Sequence, residues 1–268
     1  GTLDDNFALP ELKIGGHYTN GKLRLALPET GRAVQCTTPD LARIPRPADL
    51  ADRVLALRSS RDVVRVESSS IAIPDGPFTV EGWLQPSALS GRRGFIAKTE
   101  GSEYALFVSD GRPVFSVHLN GRYVNADARR SLLTTGRWHH LAGVFDGQEL
   151  RLYVDGQQVA KAAGSGRRTR NQLPLYIGAD VNSRGGPTAT VLGRIDEVRI
   201  TADAQYQGSR FETSRRLPTT DNSILHVRFD DRVGPWLIDA TGRTQPRMLG
   251  AAALRPASPA AVGGGQGR

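Results

Sequence analysis

The chain has 268 residues, 38% of them hydrophobic and 23% charged, with a net charge of +8. That length buries a full core without help from a metal or disulfide, and no stretch reaches the roughly 18 consecutive apolar residues of a membrane helix. Its one cysteine, Cys36, excludes an internal disulfide framework and a cysteine-rich zinc site. Residues 1–52 read as an irregular extension, because Pro10, Pro28, Pro39, Pro45 and Pro47 interrupt any long element. Lys22–Leu27 and Ala33–Cys36 form one small hairpin within it, and Ile14, Leu23, Leu25 and Leu27 offer an apolar face to pack on the domain that follows. The chain starts at Gly1 rather than Met and shows no charged-then-apolar leader, so it reads as a protein whose signal peptide is already removed or as an excised piece.

From Arg53 the pattern is strand-like. Val54–Leu57, Val63–Val66 and Phe78–Leu84 are short β-rich runs, followed by Tyr104–Val108, Val114–Leu119, His140–Phe145 and Leu150–Val154. Asp110-Gly111, Asn120-Gly121, Asp146-Gly147 and Asp155-Gly156 stand between such runs. These pairs tolerate the positive φ angles of tight hairpins, so the expected class is all-β and antiparallel. Further strands are expected at Leu175–Gly178, Val191–Ile200 and Ile224–Phe229, with one short helix within Gln205–Arg216. Trp83 and Trp138 are expected mid-strand among apolar neighbours. Many short strands without a blade-length repeat predict a sandwich over residues 53–250. Residues 251–268, rich in Ala, Pro and Gly, read as a flexible tail or linker.

The order of motifs resembles the laminin-G-like jelly-roll domains of the concanavalin A-like lectin/glucanase superfamily, in their bacterial form. The matching residues are Phe78–Pro86, Gly136–Ala142, Leu150–Gly156, Leu175–Gly178 and Gly193–Ile200, with Ala204–Tyr206, Leu225–Asp231 and Asp239–Gly242 behind them. The resemblance implies a two-sheet antiparallel jelly-roll β-sandwich. It also implies a binding module, secreted, periplasmic or at the cell surface. Glucanases of the superfamily carry Glu-x-Asp-x-Glu on one strand, and a retaining mechanism needs both outer carboxyls. Here Arg194 and Val198 stand in those two places, which argues against catalysis.

Sugars are held by aromatic faces and planar polar partners, and the candidates for that role are Tyr104, His118, Tyr123, Tyr176 and Arg184. Related jelly rolls often hold calcium, so the resemblance implies Asp180, Asn182 and Asp196 as ligands of a structural Ca2+, with Asp62 or Asp75 in reach. His139 and His140 point to opposite faces of a strand and read as structural. All but four of the 35 basic residues are arginine, with doublets at 92–93, 129–130, 167–168 and 215–216. They give two readings: a solvated surface, or attraction to an acidic glycan. No basic stretch is interleaved with aromatics, which argues against nucleic acid. Carbohydrate binding is the leading expectation, a protein-interaction domain the second, and a glycoside hydrolase or polysaccharide lyase the last.

Overall fold

The structure is a computed structural model that describes residues 52–257 in full and, before them, the backbone of four strands. The chain divides into two units, Gly1–Leu50 and Ala51–Arg268. In the first unit β1 (Phe7–Leu9), β2 (Ile14–Thr19), β3 (Lys22–Ala26) and β4 (Ala33–Thr37) form an antiparallel sheet in that order. The sequence reading has one hairpin there; the structure extends it to four strands. The apolar face assigned to Ile14, Leu23, Leu25 and Leu27 concerns side chains outside the described residues.

The second unit is a sandwich. Its strands are β5 (Arg53–Leu57), β6 (Val63–Val66), β7 (Phe78–Pro86), β8 (Arg92–Lys98), β9 (Tyr104–Ser109), β10 (Arg112–Leu119) and β11 (Arg122–Asp127). Then come β12 (His139–Phe145), β13 (Glu149–Val154), β14 (Gln157–Ala163), β15 (Leu175–Ile177), β16 (Asp180–Val181) and β17 (Pro187–Thr188). The last are β18 (Gly193–Thr201), β19 (Ser223–Val233), β20 (Trp236–Asp239), β21 (Arg247–Leu249) and β22 (Ala253–Pro256). One leaf runs β11-β10-β9-β8-β15-β6-β21, and the other runs β14-β13-β12-β7-β18-β19, with β5 and β22 alongside β18 and β20 joining the leaves. The pairings are antiparallel throughout, so the fold is the expected all-β jelly-roll sandwich.

Alternation decides which side chains face the core. Tyr104, Leu106 and Val108 of β9, with Phe115, Val117 and Leu119 of β10, point inward against Leu141 and Phe145 of β12 and Leu150, Leu152 and Val154 of β13. Phe78 holds the centre, with ring centroids 5.3 Å from Tyr104, 6.1 Å from Phe115 and 5.8 Å from Phe145. Gly143 of β12 sits beneath the Phe115 ring, where a Cβ would come within 2.2 Å of a ring carbon. Asp110-Gly111, Asn120-Gly121 and Asp155-Gly156 adopt positive φ at both positions and close the hairpins β9–β10, β10–β11 and β13–β14. At Asp146-Gly147 only the glycine is left-handed, and the aspartate caps the amides of Gln148 and Glu149 instead.

Two expectations are corrected. Residues 202–219 hold no helix; they run as an irregular strap over the outer face of β12 and β13. Tyr206 and Phe211 of the strap stack at 3.6 Å and pack on Tyr153, and Phe211 meets His140 at 5.9 Å. Residues 253–256 are not tail but strand β22, paired with β5; residues 258–268 lie outside the described residues.

The strap covers a buried polar network. Glu81 of β7 receives the Arg199 guanidinium at 2.6 Å and the Tyr206 hydroxyl at 2.7 Å, with His140 Nε2 at 3.2 Å. The last contact is close but lacks hydrogen-bond alignment, and both His140 nitrogens are without a hydrogen-bond partner among the described residues. Burial pulls the Glu81 carboxyl upward, and these neighbours overcome it, leaving the group below its ordinary range. His139 is fixed as well: its Nδ1 donates to Asp155 at 2.9 Å, and its Nε2 accepts the Thr134 amide at 3.0 Å. Trp83 and Trp138 are half-buried rather than core. Both pack against the Arg215 guanidinium, at 5.3 and 4.3 Å.

Candidate functional site

The outward side chains of β8–β11 form a groove of about 270 Å3. Strand alternation builds it. On β11, Tyr123, Asn125 and Asp127 point outward while Val124 and Ala126 pack toward the core. On β10, Arg112, Val114 and Ser116 do so, and on β9, Phe107 and Ser109. Arg92 of β8 closes the wall, its guanidinium 3.8 Å above the Phe107 ring and 3.2 Å from Asp180. A cation over a ring face is attracted to the ring quadrupole, so Arg92 is held by two partners at once.

The polar groups of the floor are organised in pairs. The Ser116 hydroxyl donates to Asn125 Oδ1 at 2.6 Å across the β10–β11 ladder. Arg112 stands 3.9 Å from Asp127, a loose pair that leaves both groups accessible. The Tyr123 hydroxyl accepts the Ser102 amide at 3.2 Å and donates to its carbonyl at 3.1 Å, so the ring is pinned at its far end. Tyr123 is 39% exposed, one of three large apolar side chains exposed among the described residues. Burial raises its hydroxyl above the ordinary phenol range, which keeps it a neutral donor. The result is a shallow, pre-formed groove offering one exposed ring face, a cation over a second ring, and planar amide, carboxylate and hydroxyl partners.

The sequence candidates divide. Tyr123 lines the groove, and His118 is its cross-strand neighbour, the two rings meeting edge-on at 4.7 Å. His118 itself is buried and packs beside the tyrosine on the same face of the sheet. Tyr104 is a core side chain 1% exposed and offers no surface to a ligand, because it shares its face with Leu106 and Val108. Tyr176 is equally buried; its hydroxyl donates to the Gly185 carbonyl at 2.9 Å and anchors the loop between β16 and β17. Arg184 is exposed on that loop, outside the groove lining. The sequence reading singles out Arg92 only as part of an arginine doublet, and it misses Phe107, Arg112, Ser116, Asn125 and Asp127. The alternation Arg112-x-Val114-x-Ser116 opposite Tyr123-x-Asn125-x-Asp127 is the signal that reveals most of them.

Asp180, Asn182 and Asp196 do not fit a calcium site. Calcium takes six to eight oxygens, whereas these oxygens already have protein partners. Asp180 accepts the Thr99 hydroxyl at 2.5 Å and the Val181 amide at 2.9 Å while pairing with Arg92. Asn182 Oδ1 accepts the amides of Arg184 and Gly186 and shapes a turn. Asp196 accepts the Glu197 amide and pairs with Arg215 at 2.8 Å. Asp62 caps the amides of Arg58, Ser59 and Ala251, and Asp75 pairs with Arg170. Among the described residues no three His, Cys, Asp or Glu side chains are grouped to hold a metal.

On β18, which carries Arg194 and Val198, a bulge separates Asp196 from Arg199. Glu197 lies at the bulge with φ 50°. It is buried against Arg216 at 2.8 Å, His226 at 3.0 Å and the Leu217 amide. Val198 points into the core. Both carboxylates of this strand are therefore occupied by arginines beneath the strap.

A family model described as "Concanavalin A-like lectin/glucanases superfamily", of the laminin-G type, matches residues 58–207. The human laminin subunit alpha-3 is 26% identical over 118 residues, 43% of this chain and 4% of that protein. The chain thus spans a small fraction of that relative's length. A crystal structure from Bacteroides ovatus, provisionally described as a carbohydrate binding protein, aligns with TM-score 0.59 and 17% identity over 88% of this chain and 68% of its own. Mouse laminin alpha1 domains LG4-5 align with TM-score 0.46 and 16% identity over 77% of this chain and 72% of theirs.

Proposed function

The chain belongs to the concanavalin A-like lectin/glucanases superfamily, and from that premise we propose that it is a non-catalytic module that binds carbohydrate in the groove of β8–β11. The observation that carries this reading is the combination in one pre-formed groove of exposed Tyr123, Arg92 held over Phe107, and the Ser116–Asn125–Asp127 polar edge. Sugar rings present an apolar face to an aromatic and hydroxyls to planar side chains, and this groove supplies both. The same reading sets the protein outside the cytoplasm, in the periplasm, at a cell surface or secreted. No calcium is invoked.

The absence of a catalytic assignment rests on Arg194 and Val198 in the places of the two glucanase carboxyls, and on the engagement of Asp196 and Glu197 by Arg215 and Arg216. The test is a glycan array probed with the wild type and with an Arg92→Ala/Tyr123→Ala variant. The wild type is expected to retain a definite subset of glycans and the variant to lose at least about tenfold in affinity, which corresponds to ~1.4 kcal/mol. Equal retention by both proteins contradicts the assignment of the groove.

A second reading, a protein-interaction domain, is favoured by the β19–β20 hairpin tip. Val233 is 65% exposed and Trp236 41%, the latter with Arg247 5.4 Å over its ring. Aromatic and arginine side chains exposed together are typical anchors of protein interfaces. An array with no glycan retained by the wild type shifts the assignment to this tip.

A further inference from the structure

A second cleft, about 540 Å3 in volume, lies where the edge strands of the two leaves, β11 and β14, approach each other. Its walls are the end of β11 with the loop after it, Asp127–Arg130 and Leu132, and strand β14 from Gln157 to Lys161. Asp127 lines both this cleft and the groove of β8–β11, so the two spaces adjoin around the β11 edge. We propose that this cleft is a second subsite for an extended acidic glycan, a chain of sugars bearing carboxylate or sulfate groups that runs from the groove across β11. The proposal rests on the carbohydrate reading above and deepens it.

The four arginine doublets differ in what holds them. Arg92 pairs with Asp180, and Arg93 donates to the carbonyls of Ser90 and Thr190. Arg168 is buried on Glu103 at 2.9 Å, and Arg167 stands 3.9 Å from Asp75. Arg215 is held by Asp196, and Arg216 by Glu197, Asp230 and Asp52. Of the four doublets, Arg129-Arg130 alone makes no ion pair or side-chain hydrogen bond among the described residues, and both arginines are exposed in this cleft.

Lys161 adds a third cation, shared with Glu149 at 3.2 Å. In the first groove, by contrast, each arginine already has a carboxylate partner. A neutral sugar satisfies the groove, whereas the cleft leaves positive charge uncompensated and so selects an anionic group. Arginine forks match carboxylate and sulfate oxygens in pairs, and the Gln157 and Gln158 amides beside them suit sugar hydroxyls. No aromatic side chain lines the cleft, which removes the stacking platform a nucleic acid strand needs. Linking two subsites through one ligand raises affinity with ligand length, because the second contact forms at high effective concentration.

The test is calorimetric titration of the full chain with oligogalacturonides and heparin oligosaccharides of two to eight sugars, and with methyl-esterified octagalacturonide. The variants are Arg129→Ala/Arg130→Ala and, separately, Tyr123→Ala. The wild type is expected to gain at least about tenfold in affinity from two to eight sugars in one acidic series, which identifies carboxylate or sulfate as the recognised group. The double arginine variant should show a flat length series with disaccharide affinity and melting temperature unchanged.

The proposal is overturned if that variant keeps the length dependence, if the esterified octasaccharide binds as tightly as the acid, or if single-stranded DNA of equal charge competes equally. Neutral glycans bound while acidic ones gain nothing with length would remove the subsite and leave the groove reading standing. Acidic glycans bound with Tyr123→Ala silent would remove the groove and leave the cleft.

Discussion

Single residues show how closely packing and charge are interlocked. Asp196 is 1% exposed, and burial pushes its carboxyl up to about 8, against the pull of Arg215. The 2.8 Å contact to Arg215 looks like an ion pair, so the two observations disagree about the proton at neutral pH, and burial is the larger influence. Below pH 4 the carboxyl is protonated folded and unfolded alike. Between about 4 and 8 the unfolded chain has released the proton and the folded chain has kept it, so stability falls as pH rises through that window. An Asp196→Asn variant, neutral at every pH, should therefore gain on the wild type by up to about 1.4 kcal/mol per pH unit between pH 5 and 7. Urea unfolding at three pH values measures this. A difference between wild type and variant that stays constant from pH 5 to 7 would mean that Arg215 holds the carboxylate ionised.

At the scale of elements, the C-terminal strands decide whether the sandwich exists. The family match ends at residue 207, yet β19 pairs with β18, β21 with β6 and β22 with β5. Leu225, Val227, Phe229, Leu237 and Met248 from β19–β21 belong to the main core. Each buried side chain of this kind contributes about 1.5–3 kcal/mol, in sum comparable to a domain's whole net stability. A chain ending at Thr220 is expected to lose cooperative thermal unfolding and to bind a hydrophobic dye; a sharp melt would contradict that.

Legibility in the sequence follows the same division between local and long-range causes. The Asp-Gly and Asn-Gly hairpins were readable because positive φ is a local demand that few residues meet. The helix expected within Gln205–Arg216 failed because Tyr206 and Phe211 are held by Tyr153 and His140 from distant strands, and no local pattern reports that. Tyr104 and Tyr123 looked alike as aromatics. Strand parity separates them, but β9 carries apolar residues on both faces, with Leu106 inward and Phe107 outward, so alternation there was weak. The acidic candidates Asp180 and Asp196 were conspicuous, while the arginines that occupy them lie far off in sequence.

Over the whole molecule, the net charge of +8 is less available than composition implies. Three of the four arginine doublets are tied to carboxylates or carbonyls and hold loops and strap in place. Among the doublets, the one whose charge is left to attract a partner is Arg129-Arg130, at the edge of the sandwich next to the groove. This arrangement favours a ligand that meets aromatic and hydroxyl-matching groups first and basic groups second.

The central claim, that carbohydrate occupies the outward face of β8–β11, is tested most directly by amide hydrogen exchange with and without the glycan best retained on the array. Slowed exchange is expected in peptides covering residues 90–130, extending to 157–161 only for a glycan long enough to reach the second cleft, with the 202–219 strap and the β19–β20 hairpin unchanged. Protection centred on residues 231–247 with the 90–130 peptides unaffected would contradict it and move the binding site to the Trp236 tip.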